Sequence, residues 1–128
     1  MRIFLIDDDE VFNYIHSVVI TRVLPDADVR VFKSGAEVKD FIEGDVSTFI
    51  TPDLILLDIR MPDMDGFELI EYLQANHPSV IHSTAMYLLS STLDERDLQR
   101  AGGLTTVKRF LSKPLSVEMF QDILREIG

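Results

Sequence analysis

Residues 53–66 read DLILLDIRMPDMDG, and at their heart Leu54-Ile55-Leu56-Leu57 runs apolar without a polar break. A strand with one wet face alternates apolar and polar. A strand apolar at every residue is covered on both faces, as in a parallel sheet packed between helices. Such a sheet needs helical crossovers, so the rest of the chain should alternate strand and helix. It does. Short β-forming runs occur at Arg2 to Ile6, Asp28 to Phe32, Asp53 to Leu57, Thr84 to Leu89 and Val107 to Leu111. The run DVRVF alternates like a strand; the others are mostly apolar.

Helical punctuation fills the gaps. Val11, Phe12, Ile15, Val18, Val19 and Val23 fall on one predicted stripe, with Asp9 as the cap. Ser34 to Glu37 is a capping box, followed by Val38, Phe41 and Ile42 and a stop at Gly44. Asp65-Gly66-Phe67-Glu68 opens a helix carrying Leu69, Ile70 and Leu73, which Asn76-His77-Pro78 ends. Thr92 to Glu95 predicts a further capping box, for a short helix that stops at Gly102-Gly103. Ser116 caps a last helix with Val117, Phe120, Ile123, Leu124 and Ile127. The sum is an α/β fold, (βα)5, doubly wound around a five-stranded parallel sheet, as one domain over residues 1–128.

Composition narrows the function. The net charge is −10, from 12 basic and 22 acidic residues, which argues against non-specific nucleic-acid binding and favours a bound cation. The absence of cysteine excludes disulfides and thiolate metal sites and suits the cytoplasm. No apolar run approaches the ~20 residues that span a bilayer, and MRIFLIDDD is too short and acidic for a secretory signal.

Open parallel sheets bind ligands at the carboxyl ends of their strands. Here those ends carry Asp7 and Asp8, Asp58, Ser90 and Lys113. Three carboxylates so gathered repel by several kcal/mol at an effective dielectric near 20. Lys113 offsets one charge, and a hard divalent cation held by oxygen ligands, Mg2+ foremost, offsets the rest. A carboxylate in that setting can act as nucleophile toward phosphorus, with the cation, Lys113 and the Ser90 hydroxyl each receiving one phosphoryl oxygen. Taken singly, each residue has a plainer use: the Asp7-Asp8-Asp9 run as helix capping, Asp58 as a turn residue, Ser90 as a helix start and Lys113 as surface. Their joint placement at strand ends favours the shared site.

These motifs together resemble a response-regulator receiver domain, the phosphoacceptor half of two-component signalling. They are the acidic pair after the first strand, DIRMPDMDG, the LLS ending the fourth strand, and FLSKP. The resemblance covers nearly the whole chain and implies the flavodoxin-like strand order 2-1-3-4-5. It implies Asp58 as phosphoacceptor, and Asp7, Asp8, Asp58 and the backbone carbonyl of Arg60 as Mg2+ ligands. It implies Ser90 as switch hydroxyl, Lys113 as phosphate partner, Phe110 as switch aromatic and a cis Lys113-Pro114 peptide. The donor would be a sensor histidine kinase or histidine phosphotransfer protein. The output would be a protein target, or a homodimer, engaged through the face from Leu93 to Glu126, and not nucleic acid or membrane. A receiver catalyses only its own phosphorylation and dephosphorylation, so no enzyme is expected. A stand-alone receiver is the favoured reading, with excision from a longer protein the alternative.

Ser90 stands where threonine is commoner in that family, and Ser91 is its competitor for the switch role; Ser90 is favoured because it directly follows MYLL. Arg60 and Thr92, each two residues past a site residue, are expected to set the acyl-phosphate lifetime. One rival is an aspartate-nucleophile phosphatase, which needs a second carboxylate two residues after the first, where this chain has Arg60. Another is a degenerate receiver acting as a scaffold. A flavin-binding protein of related fold is disfavoured because no glycine-rich loop follows the first strand. His16, His77 and His82 lack metal spacing and read as structural or surface residues; Phe12 reads as core and Tyr14 as surface.

Overall fold

The computed structural model describes residues 1–44, 51–92 and 94–128. The chain runs β1 (Arg2–Ile6), α1 (Glu10–Val23), β2 (Asp28–Phe32), α2 (Gly35–Gly44), β3 (Leu54–Asp58), α3 (Gly66–Asn76), α4 (Pro78–Ser83), β4 (Ala85–Ser90), α5 (Glu95–Gly102), β5 (Val107–Ser112) and α6 (Val117–Ile127). The strands form one parallel sheet in the order β2-β1-β3-β4-β5. The expected topology is therefore present.

The sheet separates two cores by strand alternation. Ile3, Leu5, Leu54, Leu56, Tyr87 and Leu89 face α1 and α6, meeting Ile20, Phe120 and Ile123. Phe4, Ile6, Ile55, Leu57, Met86 and Leu88 face the other way, meeting Val38, Phe67, Ile70, Leu73, Val80 and Ala101. Every residue of β3 is buried, as its unbroken apolar run requires. Fully burying one such side chain contributes roughly 1.5–3 kcal/mol. The edge strand β2 buries only Phe32.

Caps fix where the helices begin. Asp9 accepts from the backbone N–H groups of Val11 and Phe12, and Asp65 forms a reciprocal capping box with Glu68. Ser116 accepts from Met119. Gly66 is demanded by packing, since a Cβ there would lie 2.7 Å from the Asp58 carbonyl oxygen. Its own N–H donates to the Ile59 carbonyl at 2.9 Å, which docks the start of α3 against the end of β3.

Three details differ from the sequence expectation. Asn76-His77-Pro78 ends α3 as expected, with His77 as its C-cap, but Pro78 also opens the unforeseen short α4 from the first helical turn, where its missing N–H costs nothing. The cap of α5 is Asp94, accepting from the Arg96 N–H, and not Thr92, whose backbone is engaged by Ser90 instead. The buried residues of α1 are Asn13, His16 and Ile20, while Val11 and Val18 of the predicted stripe are exposed. Burial of His16 is offset because it accepts the Leu115 N–H, and burial of Asn13 is offset in part because its amide donates to the Asp7 carbonyl while its Oδ1 stays without a partner among the described residues.

Candidate functional site: an acidic pocket at the carboxyl edge of the sheet

Strand β1 delivers Asp7 and Asp8, β3 delivers Asp58, β4 delivers Ser90, and the residue after β5 is Lys113. All emerge at one edge because the strands are parallel. One carboxylate oxygen from each of Asp7, Asp8 and Asp58 lies within 4.8 Å of the others. Asp7 and Asp58 are each only 4% exposed, whereas Asp8 is open to solvent.

Lys113 Nζ sits between the two buried carboxylates, 2.6 Å from Asp7 Oδ2 and 3.0 Å from Asp58 Oδ1, on a side chain 4% exposed. Backbone donors complete the cradle. The Asp9 N–H reaches Asp7 Oδ1 at 2.9 Å, and the Arg60 N–H approaches Asp58 Oδ1 at 3.4 Å. Burial and the neighbouring Asp7 charge push the Asp58 carboxyl above the usual carboxylate range, outweighing the Lys113 ammonium and the Arg60 N–H.

Three negative charges face one positive charge, and every donor in the cluster is a carboxylate oxygen. That excess and that donor chemistry fit a hard divalent cation better than zinc or copper. The open side of the pocket is lined by Asp8, Arg60, Met61, Pro62, Asp65 and Glu68, which leaves Asp8 accessible from solvent.

Ser90 is fully buried, at the tip of β4. Its Oγ donates to the Thr92 carbonyl at 2.7 Å and accepts the Thr92 N–H at 3.2 Å. The Ser90 carbonyl accepts the Lys113 N–H at 2.8 Å, which ties the tips of β4 and β5 together. Ser91, the competing hydroxyl, is exposed. The Lys113-Pro114 peptide is cis, as expected. Phe110 is half-buried on β5 opposite Leu88 and lines a cleft of about 290 Å³ with Leu98, Ala101, Leu104 and Val107. Leu93, where the expected output face begins, lies outside the described residues.

The Arg60 side chain leaves the pocket. Its guanidinium pairs with Asp97 at 2.5 Å and lies 3.9 Å from Asp94, at the start of α5. Sequence reading placed Arg60 beside the site but missed this tie, because nothing in the spacing of residues 60 and 97 signals it. His77 is held by the Tyr72 hydroxyl at 3.2 Å and His82 is exposed, so neither joins the pocket.

A five-stranded parallel sheet in this order, with this acidic edge, is the architecture of a signalling receiver module. The sequence profile described as the response regulator receiver domain matches residues 3–125, and the chain belongs to that family. Among solved structures, a two component response regulator from Cytophaga hutchinsonii superposes with a TM-score of 0.89 at 26% identity, covering 98% of this chain and 95% of that one. A two-component response regulator from Legionella pneumophila gives 0.84 at 25% identity, covering 99% and 97%. The DNA-binding transcriptional regulator NtrC of Klebsiella pneumoniae is 38% identical over 77 residues, 59% of this chain. That match spans only 14% of NtrC, and the corresponding share of the Escherichia coli protein is 15%. Receiver domains take their phosphoryl group from histidine kinases and bind Mg2+ at an acidic pocket. Among the described residues no helix is long and apolar enough to cross a membrane.

Proposed function

We propose that residues 1–128 work as one receiver unit in which Asp58 accepts a phosphoryl group from a phosphohistidine donor in a Mg2+-dependent reaction. The observation that carries this reading is the buried Lys113 ammonium held between Asp7 and Asp58 with Asp8 alongside. An Asp58 carboxylate oxygen attacks phosphorus; the new O–P bond forms as the P–N bond to the donor imidazole breaks. The electron pair of that bond stays on the imidazole nitrogen, and the product is an aspartyl phosphate. Asp7, Asp8, Asp58 and the Arg60 carbonyl are the groups assigned to the cation. When bound, Mg2+ supplies charge neutralisation for the transferring phosphoryl oxygens. Lys113 pairs with a second oxygen, and Ser90 turns its hydroxyl from Thr92 toward a third.

That turn is the proposed switch. When Ser90 leaves Thr92, the β4–α5 segment relaxes and Phe110 gains room to change rotamer within the adjoining cleft. The α5–β5–α6 surface changes with it, as a shift between two preexisting packings. Protein partners, or a second copy, read that surface. The phosphatase reading is disfavoured because Arg60 occupies the position of the second carboxylate and its side chain points to Asp97.

The test is incubation with Mg2+ and acetyl phosphate or phosphoramidate, followed by intact-mass measurement. One phosphoryl adduct is expected on the wild type and none on Asp58→Asn. Equal labelling of the two proteins, or steady turnover of a small phosphomonoester, would overturn the assignment; no adduct on either would favour the scaffold.

A further inference from the structure

We propose that Phe12 and His16, one turn apart on α1, are positioning residues that aim the Lys113 ammonium at the phosphoryl site. The inference deepens the reading of Asp58 and Lys113 given above and rests on it. Lys113 carries four flexible methylenes, and confining such a side chain costs roughly 2 kcal/mol of rotamer entropy. Something must hold it. The two carboxylates do so from one side. From another, Nζ lies 4.6 Å from the centroid of the Phe12 ring, within cation–π range.

Phe12 is itself stacked on His16, with centroids 5.7 Å apart and an interplanar angle of 27°. His16 is 1% exposed, and its Nε2 accepts the Leu115 N–H at 3.1 Å. That bond joins residues 99 apart in sequence. It pins the turn just beyond Lys113 to the middle of α1. Burial lowers the His16 pKa to about 4, against the opposing pull of Asp7, so the ring is neutral and keeps a lone pair for Leu115. The result is a column: Leu115 backbone, His16, Phe12, Lys113, carboxylates.

An aromatic face suits this position for a specific reason. A third carboxylate would hold Lys113 as firmly but would neutralise the charge intended for a phosphoryl oxygen. The ring attracts the ammonium through its quadrupole and leaves that charge unspent. Preorganised positive charge of this kind lowers a phosphoryl-transfer barrier without reorganisation during the reaction.

The experiment compares wild type, Phe12→Leu, His16→Leu and His16→Gln in the full chain. Phosphorylation by acetyl phosphate with Mg2+ is followed by intact mass, and the Lys113 ε-methylene protons by NMR. Phe12→Leu keeps apolar bulk and removes the quadrupole; His16→Gln returns an acceptor that His16→Leu lacks. We expect phosphorylation about tenfold slower in Phe12→Leu and His16→Leu. Glutamine should recover most of the rate lost to leucine. The apparent Mg2+ affinity should stay within about twofold of wild type, since the substitutions leave all three carboxylates in place. The ε-methylene signals should be displaced upfield by the Phe12 ring current in the wild type and return toward ordinary lysine positions in Phe12→Leu. Phosphorylation of Phe12→Leu at the wild-type rate, or ε-methylene signals unmoved by that substitution, overturns the proposal. Failure of wild-type Asp58 to label would instead sink the phosphoacceptor reading, while the NMR comparison still decides whether the ring holds the lysine.

Discussion

Replacing Asp58 with asparagine should stabilise the protein at neutral pH when no divalent cation is present. Burial, with Asp7 as the second cause, raises the Asp58 carboxyl from 3.8 to about 6. Carrying it ionised at neutral pH therefore costs the folded state at most about 3 kcal/mol, at 1.36 kcal/mol per pKa unit, a cost shared with the neighbouring Asp7 charge. Asparagine removes that cost. It also weakens the Lys113 contact and leaves an amide N–H pair to be satisfied, which takes back about 1 kcal/mol. The expected net gain is up to about 2 kcal/mol, or at most on the order of 6 °C in Tm for a chain of this size. The pH dependence carries the sign. A folded-state pKa above the unfolded value means that the native wild type binds the extra proton, so the Asp58 contribution to stability rises as pH falls through 6 toward 3.8. Asp58→Asn lacks that gain, so the difference between the two proteins should shrink across the same window. Saturating Mg2+ should also narrow it, because the cation stabilises the three-carboxylate pocket more than a two-carboxylate one. Urea titrations in chelator, repeated at several pH values and with Mg2+, measure all three effects. An Asp58→Asn protein less stable than wild type in chelator at neutral pH would refute the claim that Asp58 sits in the native state under electrostatic stress.

Gly66→Ala should destabilise the fold by about 1–3 kcal/mol. Its Cβ would meet backbone atoms, the Asp58 oxygen at 2.7 Å and Ile59 Cα at 3.1 Å, which cannot swing aside; an unchanged urea midpoint would contradict that packing. His16 titrates in the opposite sense to Asp58. Its folded pKa, about 4, lies below the unfolded value of 6.5, so the His16 contribution to stability should fall by up to about 3 kcal/mol as pH drops from 6.5 to 4, opposing the Asp58 contribution. His16→Gln should lose that slope, and parallel stability–pH curves would show that His16 is not buried as a neutral acceptor. Arg60→Asn combined with Thr92→Glu should shift the half-life of the Asp58 acyl phosphate severalfold, as both exposed residues lie two positions past a site residue; an unchanged decay in a mass time course would discard that role.

The fold was legible where a residue's environment follows from its neighbours in sequence. The unbroken Leu54–Leu57 run announces a strand covered on both faces, and Asp65 with Glu68 announces a helix start; both features are present. The pocket was legible for a different reason. Parallel strands put all their carboxyl ends at one edge, so charges following apolar runs must meet there. What escaped were features decided by distant partners. The α1 stripe was misjudged because Asn13 and His16 are buried through bonds to Asp7 and Leu115, which no 3.6-residue period encodes. The start at Pro78 escaped because proline was read only as the end of one helix, although it is equally at home in the first turn of the next. The Arg60–Asp97 pair escaped because surface ion pairs leave no pattern in a single sequence.

The same bonds bear on how strongly a phosphoryl group could drive the switch. Ser90 already donates to Thr92 at 2.7 Å, so turning it toward phosphate exchanges a neutral bond worth about 1 kcal/mol for a charge-assisted one worth about 1.5–3. The gain from Ser90 alone is therefore about 1 kcal/mol. Lys113 adds little bias, because it leaves buried carboxylates that hold it at 2.6 and 3.0 Å for a phosphoryl oxygen of like charge. Moving a two-state equilibrium from 1:99 to 99:1 takes about 5.5 kcal/mol. Within the proposed mechanism, then, Ser90 and Lys113 alone yield a partial shift, and a partner bound to the α5–β5–α6 surface would add to it. That surface is suited to such completion, because α5 buries only Ala101 and is tethered by two ion pairs, the half-buried pair of Arg60 with Asp97 and the exposed pair of Arg100 with Glu71, and by Arg100 over the Phe67 ring. Pairs of that kind contribute at most about 1 kcal/mol each. A helix so lightly held can be repositioned by the binding energy of a modest interface, which makes partner engagement and phosphorylation reciprocal: each should tighten the other.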